Sequence, residues 1–231
     1  MRTEAGEVVQ PGRFRFKDLC LDAVDADRVA AFWSGVIGLR AEAGGNGFRL
    51  SDDVPEHTLW VNAVPEPRTV KQRVHLDVHT AAVSDLVELG ATVLDERHPW
   101  TVLGDPEGGE FCAFVRPPDR LPAYRLYEVV VDAVDAERIA TWWSQRFGVA
   151  VQRDPGEDFC WLEEVPGMPG AMVFQPVPEP KQVKNRVHWD LLGRTADALD
   201  AGARLLRARD HEIRWDVLAD PEGNEFCVFD G

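Results

Sequence analysis

Hydrophobic and polar positions alternate from Phe14 to Val24. Leu19, Leu21 and Ala23 share one parity, and Asp18, Cys20 and Asp22 share the other. This predicts a strand with one apolar and one polar face, as in a sheet covered by helices on one side only. The period then changes. Val29, Phe32, Trp33 and Val36 stand at i, i+3, i+4 and i+7, the stripe of an amphipathic helix. Asp25 suits its N-cap, and Gly38 can end it in the left-handed conformation. Three short strands are expected between Arg40 and Val64, with turns at Gly44 to Gly47 and near Pro55. Alternation resumes over Arg73 to His79, with Val74, Leu76 and Val78 against His75, Asp77 and His79. Thr80 is then expected to cap a helix carrying Val83, Leu86 and Val87, closed by Gly90. Short strands follow near residues 92–95, 100–103 and 110–115.

This strand–helix–three-strand pattern occurs twice in the first half and is replayed in the second. Tyr127 to Val134 reads as a strand. Asp135 caps a helix with Ile139, Trp142, Trp143 and Phe147, ended by Gly148. Arg186 to Leu192, Thr195 to Ala201 and Glu225 to Phe229 follow as strand, helix and last strand. Specific words recur with the pattern. Lys71-Gln72-Arg73-Val74-His75-Leu76-Asp77 returns as Lys184-Asn185-Arg186-Val187-His188-Trp189-Asp190. Asp-Ala-Val-Asp-Ala begins at Asp22 and at Asp132, Val-Pro-Glu-Pro at Val64 and at Val177, and Asp-Pro-Glu-Gly at Asp105 and at Asp220. A repeat this long implies a duplicated domain. We place the two copies at residues 14–116 and 124–231, joined by a linker with Pro117, Pro118 and Pro122. Residues 1 to about 13 read as a loose tail.

The 231 residues carry 25 Lys+Arg against 40 Asp+Glu, a formal net charge of −15. That disfavours nucleic acid and anionic membranes as partners. The four cysteines, Cys20, Cys112, Cys160 and Cys227, form no CxxC pair and are read as reduced thiols of a cytoplasmic protein. Neither a signal peptide nor a membrane-spanning run is expected.

Strand parity selects side chains able to share a concavity. In the first copy these are Asp18, Asn62, His75 and Cys112, with Asp77 and Glu110 beside them. In the second they are Glu128, Gln175, His188 and Cys227, with Asp190 and Glu225 beside them. Three readings stand open: a metal site, acid–base or thiol chemistry, or a histidine satisfied structurally within a sheet. Trp100 and Trp215 precede the two Asp-Pro-Glu-Gly turns and either line a pocket or pack in the core. Lys71 and Lys184 read as solvated, and the Asp-Pro-Glu-Gly segments as turns without a catalytic role.

Phe174 to Lys181, Lys184 to Asp190 and Asp220 to Cys227 together resemble the vicinal oxygen chelate superfamily, in its glyoxalase-like branch. The resemblance covers essentially the whole chain after the tail. It implies an α+β fold of two tandem glyoxalase/bleomycin-resistance-like domains, each built from two βαβββ modules forming a cup-shaped mixed sheet. The family's metal ligands lie on the first, fourth, fifth and eighth strands of a domain. These positions match Asp18 and Glu128, Asn62 and Gln175, His75 and His188, and Cys112 and Cys227. The cysteine replaces the usual glutamate, and Glu110 and Glu225 stand two residues earlier with the same parity.

The resulting expectation is a small organic molecule bound in one or both cups. Turnover would make the protein a metal-assisted lyase, isomerase or dioxygenase; the alternative is a non-catalytic, antibiotic-sequestering binder. No tightly bound cofactor is expected, although a divalent metal is admissible. The chain is expected to be a monomer or homodimer. The cup with His188 and Trp215 is favoured for an apolar or aromatic ligand, because His79 in the first copy is replaced by Leu192 in the second.

Overall fold

The computed structural model describes residues 12–230. Most of the tail expected over residues 1–13, and the N-terminal stretch read as carrying no signal peptide, therefore lie outside the described residues. Four modules follow one another. The first is β1 (Arg15–Ala23), α1 (Ala26–Ile37), β2 (Arg40–Gly44), β3 (Gly47–Ser51) and β4 (Thr58–Ala63). The second is β5 (Val74–Thr80), α2 (Val83–Glu88), β6 (Thr92–Asp95), β7 (Thr101–Gly104) and β8 (Glu110–Val115). The third is β9 (Leu126–Ala133), α3 (Ala136–Phe147), β10 (Val151–Gln152), β11 (Cys160–Leu162) and β12 (Ala171–Pro176). The fourth is β13 (Val187–Leu192), α4 (Thr195–Asp200), β14 (Arg204–Arg207), β15 (Asp216–Ala219) and β16 (Glu225–Phe229).

The long helices start and stop where their chemistry dictates. Asp25 accepts from the Arg28 amide at 3.1 Å, and Asp135 from the Arg138 amide at 3.0 Å. Gly38 and Gly148 close them at φ 81° and 71°, where a Cβ would be strained. The expected Thr80 cap is not formed. Thr80 is still part of β5, its hydroxyl donates to the Ala82 carbonyl at 2.8 Å, and Ala82 flanks the helix with no side-chain cap.

Eight strands form each of two open mixed sheets. Sheet A runs β14-β15-β16-β13-β1-β4-β3-β2, and sheet B runs β10-β11-β12-β9-β5-β8-β7-β6. Each sheet contains two modules, as expected. The modules pair across the halves, however: the first with the fourth, and the third with the second. The antiparallel seams β1–β13 and β5–β9 join them, with Cys20 opposite His188 and His75 opposite Val130.

The helices pack the other way. α1 lies on β3 and β4 of sheet A, while its Trp33 meets Phe111 of sheet B at 5.2 Å. α3 lies on β11 and β12 of sheet B, while its Trp143 meets Phe226 and Trp189 of sheet A at 5.1 and 5.3 Å. Apolar burial thus ties modules within a half, and strand ladders tie the halves together. Phe32, Trp33 and Trp143 are buried as the stripe predicts. Trp142 is only partly buried: its Nε1 donates to the Ala201 carbonyl at 2.8 Å, and Arg146 lies over its ring.

The Asp-Pro-Glu-Gly segments are turns locked from inside. Asp105 accepts from the amides of Glu107 and Gly109, and Asp220 from those of Glu222 and Asn224. Each aspartate also accepts from a helix tryptophan, Trp33 at 3.4 Å and Trp143 at 3.1 Å.

Candidate functional site in two concave faces

Leu19, Leu21, Trp189 and Leu191 of sheet A turn towards the helices and are buried there. Alternation therefore sends Asp18, Cys20, His188 and Asp190 to the other, concave face. The same holds in sheet B for His75, Asp77, Cys112 and Glu128.

The crossed pairing redistributes the expected residues. Cup A gathers Asp18 and Asn62 of the first half with His188, Asp190 and Cys227 of the second. Cup B gathers His75, Asp77 and Cys112 with Glu128 and Gln175. The two sets read along the chain, each confined to one copy, are thus corrected: the first-strand acid and the carboxamide exchange cups. The reason is that β1 hydrogen-bonds to β13, not to β5.

Two compact groups form at the floors. Ligand-type atoms of Cys20, His188 and Asp190 lie within 4.8 Å of one another, and so do those of His75, Asp77 and Cys112. The pairing also sets acid against acid, with Asp18 opposite Asp190 and Glu128 opposite Asp77. Like charges directly opposed across a ladder repel. Burial, with Glu128 adding to it, pushes the Asp77 carboxyl up to about 8. Burial, with Asp18 adding to it, pushes Asp190 up to about 7. Burial holds His75 down to about 4 and lowers His188 as well. It raises the thiols of Cys20, Cys112 and Cys227 too, with Asp190 or Asp77 adding. At neutral pH the imidazoles and thiols at both floors are therefore uncharged, Asp77 is mostly protonated, and Asp190 is near its midpoint. His75 Nε2 stands 3.5 Å from Asp77 Oδ1, and that oxygen and His188 Nδ1 have no hydrogen-bond partner among the described residues.

Other expected residues lie at the rims. Glu225 accepts from Lys181 at 2.6 Å and from the Asn185 amide at 3.1 Å, and Glu110 accepts from Arg68 and the Gln72 amide. These glutamates pin the loops ahead of β13 and β5, so they do not replace the cysteines as ligands. Trp215 stacks on Phe229 at 5.1 Å beside cup A, and Trp100 on Phe114 at 5.6 Å beside cup B; both are partly buried.

Several participants were not singled out from the sequence. Trp60 Nε1 donates to Asp18 at 3.1 Å, and Lys17 also bonds that carboxylate. Trp60, Lys17, Arg49 and Leu192 wall a 440 Å³ cavity at the end of cup A. Lys71 and Lys184 are not simply solvated: they pair with the buried Asp132 and Asp22, the first at 3.0 Å. Both acids are the opening residue of the recurring Asp-Ala-Val-Asp-Ala, which was the available signal.

A family model described as a glyoxalase-like domain matches residues 18–114 and again 128–229. The chain belongs to the glyoxalase-like family of the vicinal oxygen chelate superfamily. Solved structures agree on the fold. Glyoxalase I from Zea mays is 14% identical with a TM-score of 0.66, over 94% of this chain and 92% of that one. A putative dioxygenase from Bacillus subtilis is 12% identical with a TM-score of 0.61, over 95% and 86%. The cppA protein from Streptococcus pneumoniae is 9% identical with a TM-score of 0.52, over 94% and 99%. Comparison with curated proteins gives no match.

The glyoxalase-like ligand positions can be tested against these contacts. On the first strand, Asp18 is engaged by Lys17 and Trp60. On the fourth, Gln175 donates to Asp132 at 2.5 Å. Neither belongs to the compact groups. A divalent ion can find three donors in either group, but only by displacing protons from the carboxyl and the thiol. The family's four-strand ligand set does not fit these cups as they stand.

Proposed function

We propose that this glyoxalase-like protein binds a small apolar or aromatic molecule in cup A. The observation that carries the reading is the 440 Å³ cavity, where Phe16, Pro55, Trp60 and Leu192 meet the charged Lys17, Asp18 and Arg49, at the end of a concave face whose floor holds Cys20, His188 and Asp190. Ligand sites are commonly of this size, mostly apolar, with a few placed polar groups. The aromatic rings at the corresponding end of cup B pack on one another instead: His79 stacked on Tyr127 at 4.4 Å, Tyr127 edge-on to Phe114 at 5.3 Å, and Phe114 stacked on Trp100. The test is a thermal-shift screen, since a ligand of the native state raises its melting temperature. For any hit, His188→Ala and Trp60→Ala should weaken the shift more than His75→Ala and Trp100→Ala. Equal losses from both pairs would refute the assignment to cup A.

One observation favours turnover as a second reading. A carboxyl titrating near 7 beside a neutral imidazole is an acid–base pair matched to neutral pH. That suits proton transfer, as in an isomerase or lyase. Product formation lost in Asp190→Asn with ligand affinity retained would establish it; affinity without product leaves the sequestering role. Metal-assisted lyase, isomerase or dioxygenase chemistry requires one of the trios to load an ion. A cytoplasmic setting suits the four buried, free cysteines. Partners other than a small molecule, nucleic acid and membrane included, are not proposed, and the protein acts as a monomer or homodimer.

A further inference from the structure

A cleft larger than the cavity of cup A opens at the other end of the concave faces, where Asp22 and Asp132 stand. Its volume is about 1080 Å³, and it lies where the two halves meet, lined by the loops of residues 64–73 and 177–186. It is built from corresponding residues of the two copies: Lys71 with Lys184, Val70 with Val183, Pro67 with Pro180. Each loop is held by the other half. Arg186 Nη1 donates to the Glu66 carbonyl at 2.5 Å, and Arg73 to the Glu179 carbonyl. The recurring Val-Pro-Glu-Pro and Lys-x-Arg words, which the cups leave unexplained, thus meet in one place.

Its chemistry is amphipathic. Val70 and Val183 remain 41% and 42% exposed beside the prolines, an apolar surface with no partner among the described residues. The lysines supply the polar part. Each ammonium carries three donors and spends one on a buried aspartate. Their side chains are 64% and 59% exposed, so two donors on each remain available. Asp22 and Asp132 are both neutralised by these pairs and add no net repulsion. Arg68 and Arg186, which also line the cleft, are paired with Glu110 and Glu107, so the two lysines are the exposed cations with free donors facing it.

We propose that this cleft is a binding site, distinct from the 440 Å³ cavity of cup A, for a small amphipathic anion. The apolar body would lie against the valines and prolines, and the anionic end would accept from Lys71 or Lys184. The pseudo-symmetric lysines offer two equivalent seats for the anionic group.

Isothermal titration of the full chain with octanoate, octanol and octylammonium tests this. Octanoate should bind at least about tenfold tighter than either other probe, the size of one charge-assisted hydrogen bond. Val70→Glu/Val183→Glu places carboxylates at exposed positions that the fold does not need, and should abolish octanoate binding with the melting temperature kept. Lys71→Met/Asp132→Asn/Lys184→Met/Asp22→Asn removes the two lysines without stranding a buried acid, and should bring octanoate down to the level of octanol. Trp60→Ala, which alters the cup A cavity and not this cleft, should leave octanoate binding unchanged. Equal binding of the three probes, or octanoate binding lost in Trp60→Ala but kept in the valine variant, would overturn the proposal.

Discussion

Cup A and cup B are built by the same backbone and finished differently. Both floors carry a strand histidine, an aspartate two residues later and a thiol. Cup A adds a second thiol, Cys20, where cup B has Val130 at the corresponding strand position. Cup A sets Trp60 over its concave face where cup B has Val173, and fixes that indole on Asp18. Cup B instead sets a run of rings at its end, His79 stacked on Tyr127, Tyr127 edge-on to Phe114 and Phe114 stacked on Trp100, and Arg116 lies over two of those rings. Leu192 and Lys17 stand where cup B has His79 and Tyr127. The difference teaches that duplication preserves a polar floor while a few aromatic positions shape the end of each cup.

The largest test of this pairing is energetic. Trp143 lies beneath cup A against Trp189 and Phe226, and Trp33 beneath cup B against Phe111. Trp143→Ala should destabilise by roughly 3–5 kcal/mol, measured by denaturant unfolding. Trp33→Ala should cost less within that range, since Trp143 sits among four aromatic neighbours. Ligand binding in cup A should suffer from the first change and not the second. A Trp143→Ala protein of unchanged stability would remove the idea that each helix supports the opposite sheet.

Much of this was legible in the sequence. Period 2 and period 3.6 segments place the modules to within a residue or two, because burial on one face forces those periods. Asp25, Asp135, Gly38 and Gly148 announce the helix ends, because an orphan amide and a left-handed turn need those residue types. The polar parity of β1, β5, β9 and β13 gives the floor residues. What no periodicity encodes is which module sits beside which. β5 and β13 present the same alternation, so either is an acceptable neighbour for β1. The choice rests on long-range packing of Trp33 and Trp143 and on the reach of loops 64–73 and 177–186. That is why Asp18 was read with His75 and lies with His188. The lysine–aspartate pairs were hidden for the same reason: Lys184 and Asp22 belong to different halves.

Titration separates the two cups on a finer scale. Asp190 and Asp77 hold protons in the folded state above the pH at which the unfolded chain releases them. Their contribution to stability is complete below about pH 4 and is lost as pH rises through about 7 and about 8 respectively. His75 works in the opposite sense below its ordinary value of 6.5, because its folded form resists protonation. Stability should therefore fall from about pH 6.5 to 8, by at most roughly 1.4 kcal/mol per pH unit for each titrating carboxyl. Asp190→Asn should flatten the lower part of that fall and Asp77→Asn the upper part. Denaturation midpoints across this range that are flat in the parent protein would show that the floors are not protonated carboxyls.

The smallest expected effect is a null one, and it bears on how the cups differ from a metal centre. At neutral pH, loading either trio with a divalent ion means removing a thiol proton and the proton still held by Asp77 or, in part, by Asp190, against the burial that keeps them. Cup A is the better candidate of the two, because Cys20 and Cys227 both hydrogen-bond Asp190 and thiolates favour soft ions. Elemental analysis of the purified protein should nevertheless find no stoichiometric zinc, nickel, manganese or iron, and dialysis against a chelator should leave the melting temperature unchanged. Added zinc, at pH 8 rather than pH 6, should raise the melting temperature first through cup A, and Cys20→Val should remove that rise while His75→Ala leaves it. Metal that survives dialysis and is lost only in a His75→Ala/His188→Ala double variant would mean that both floors are ionised in the native protein, and would make the cups metal centres alike.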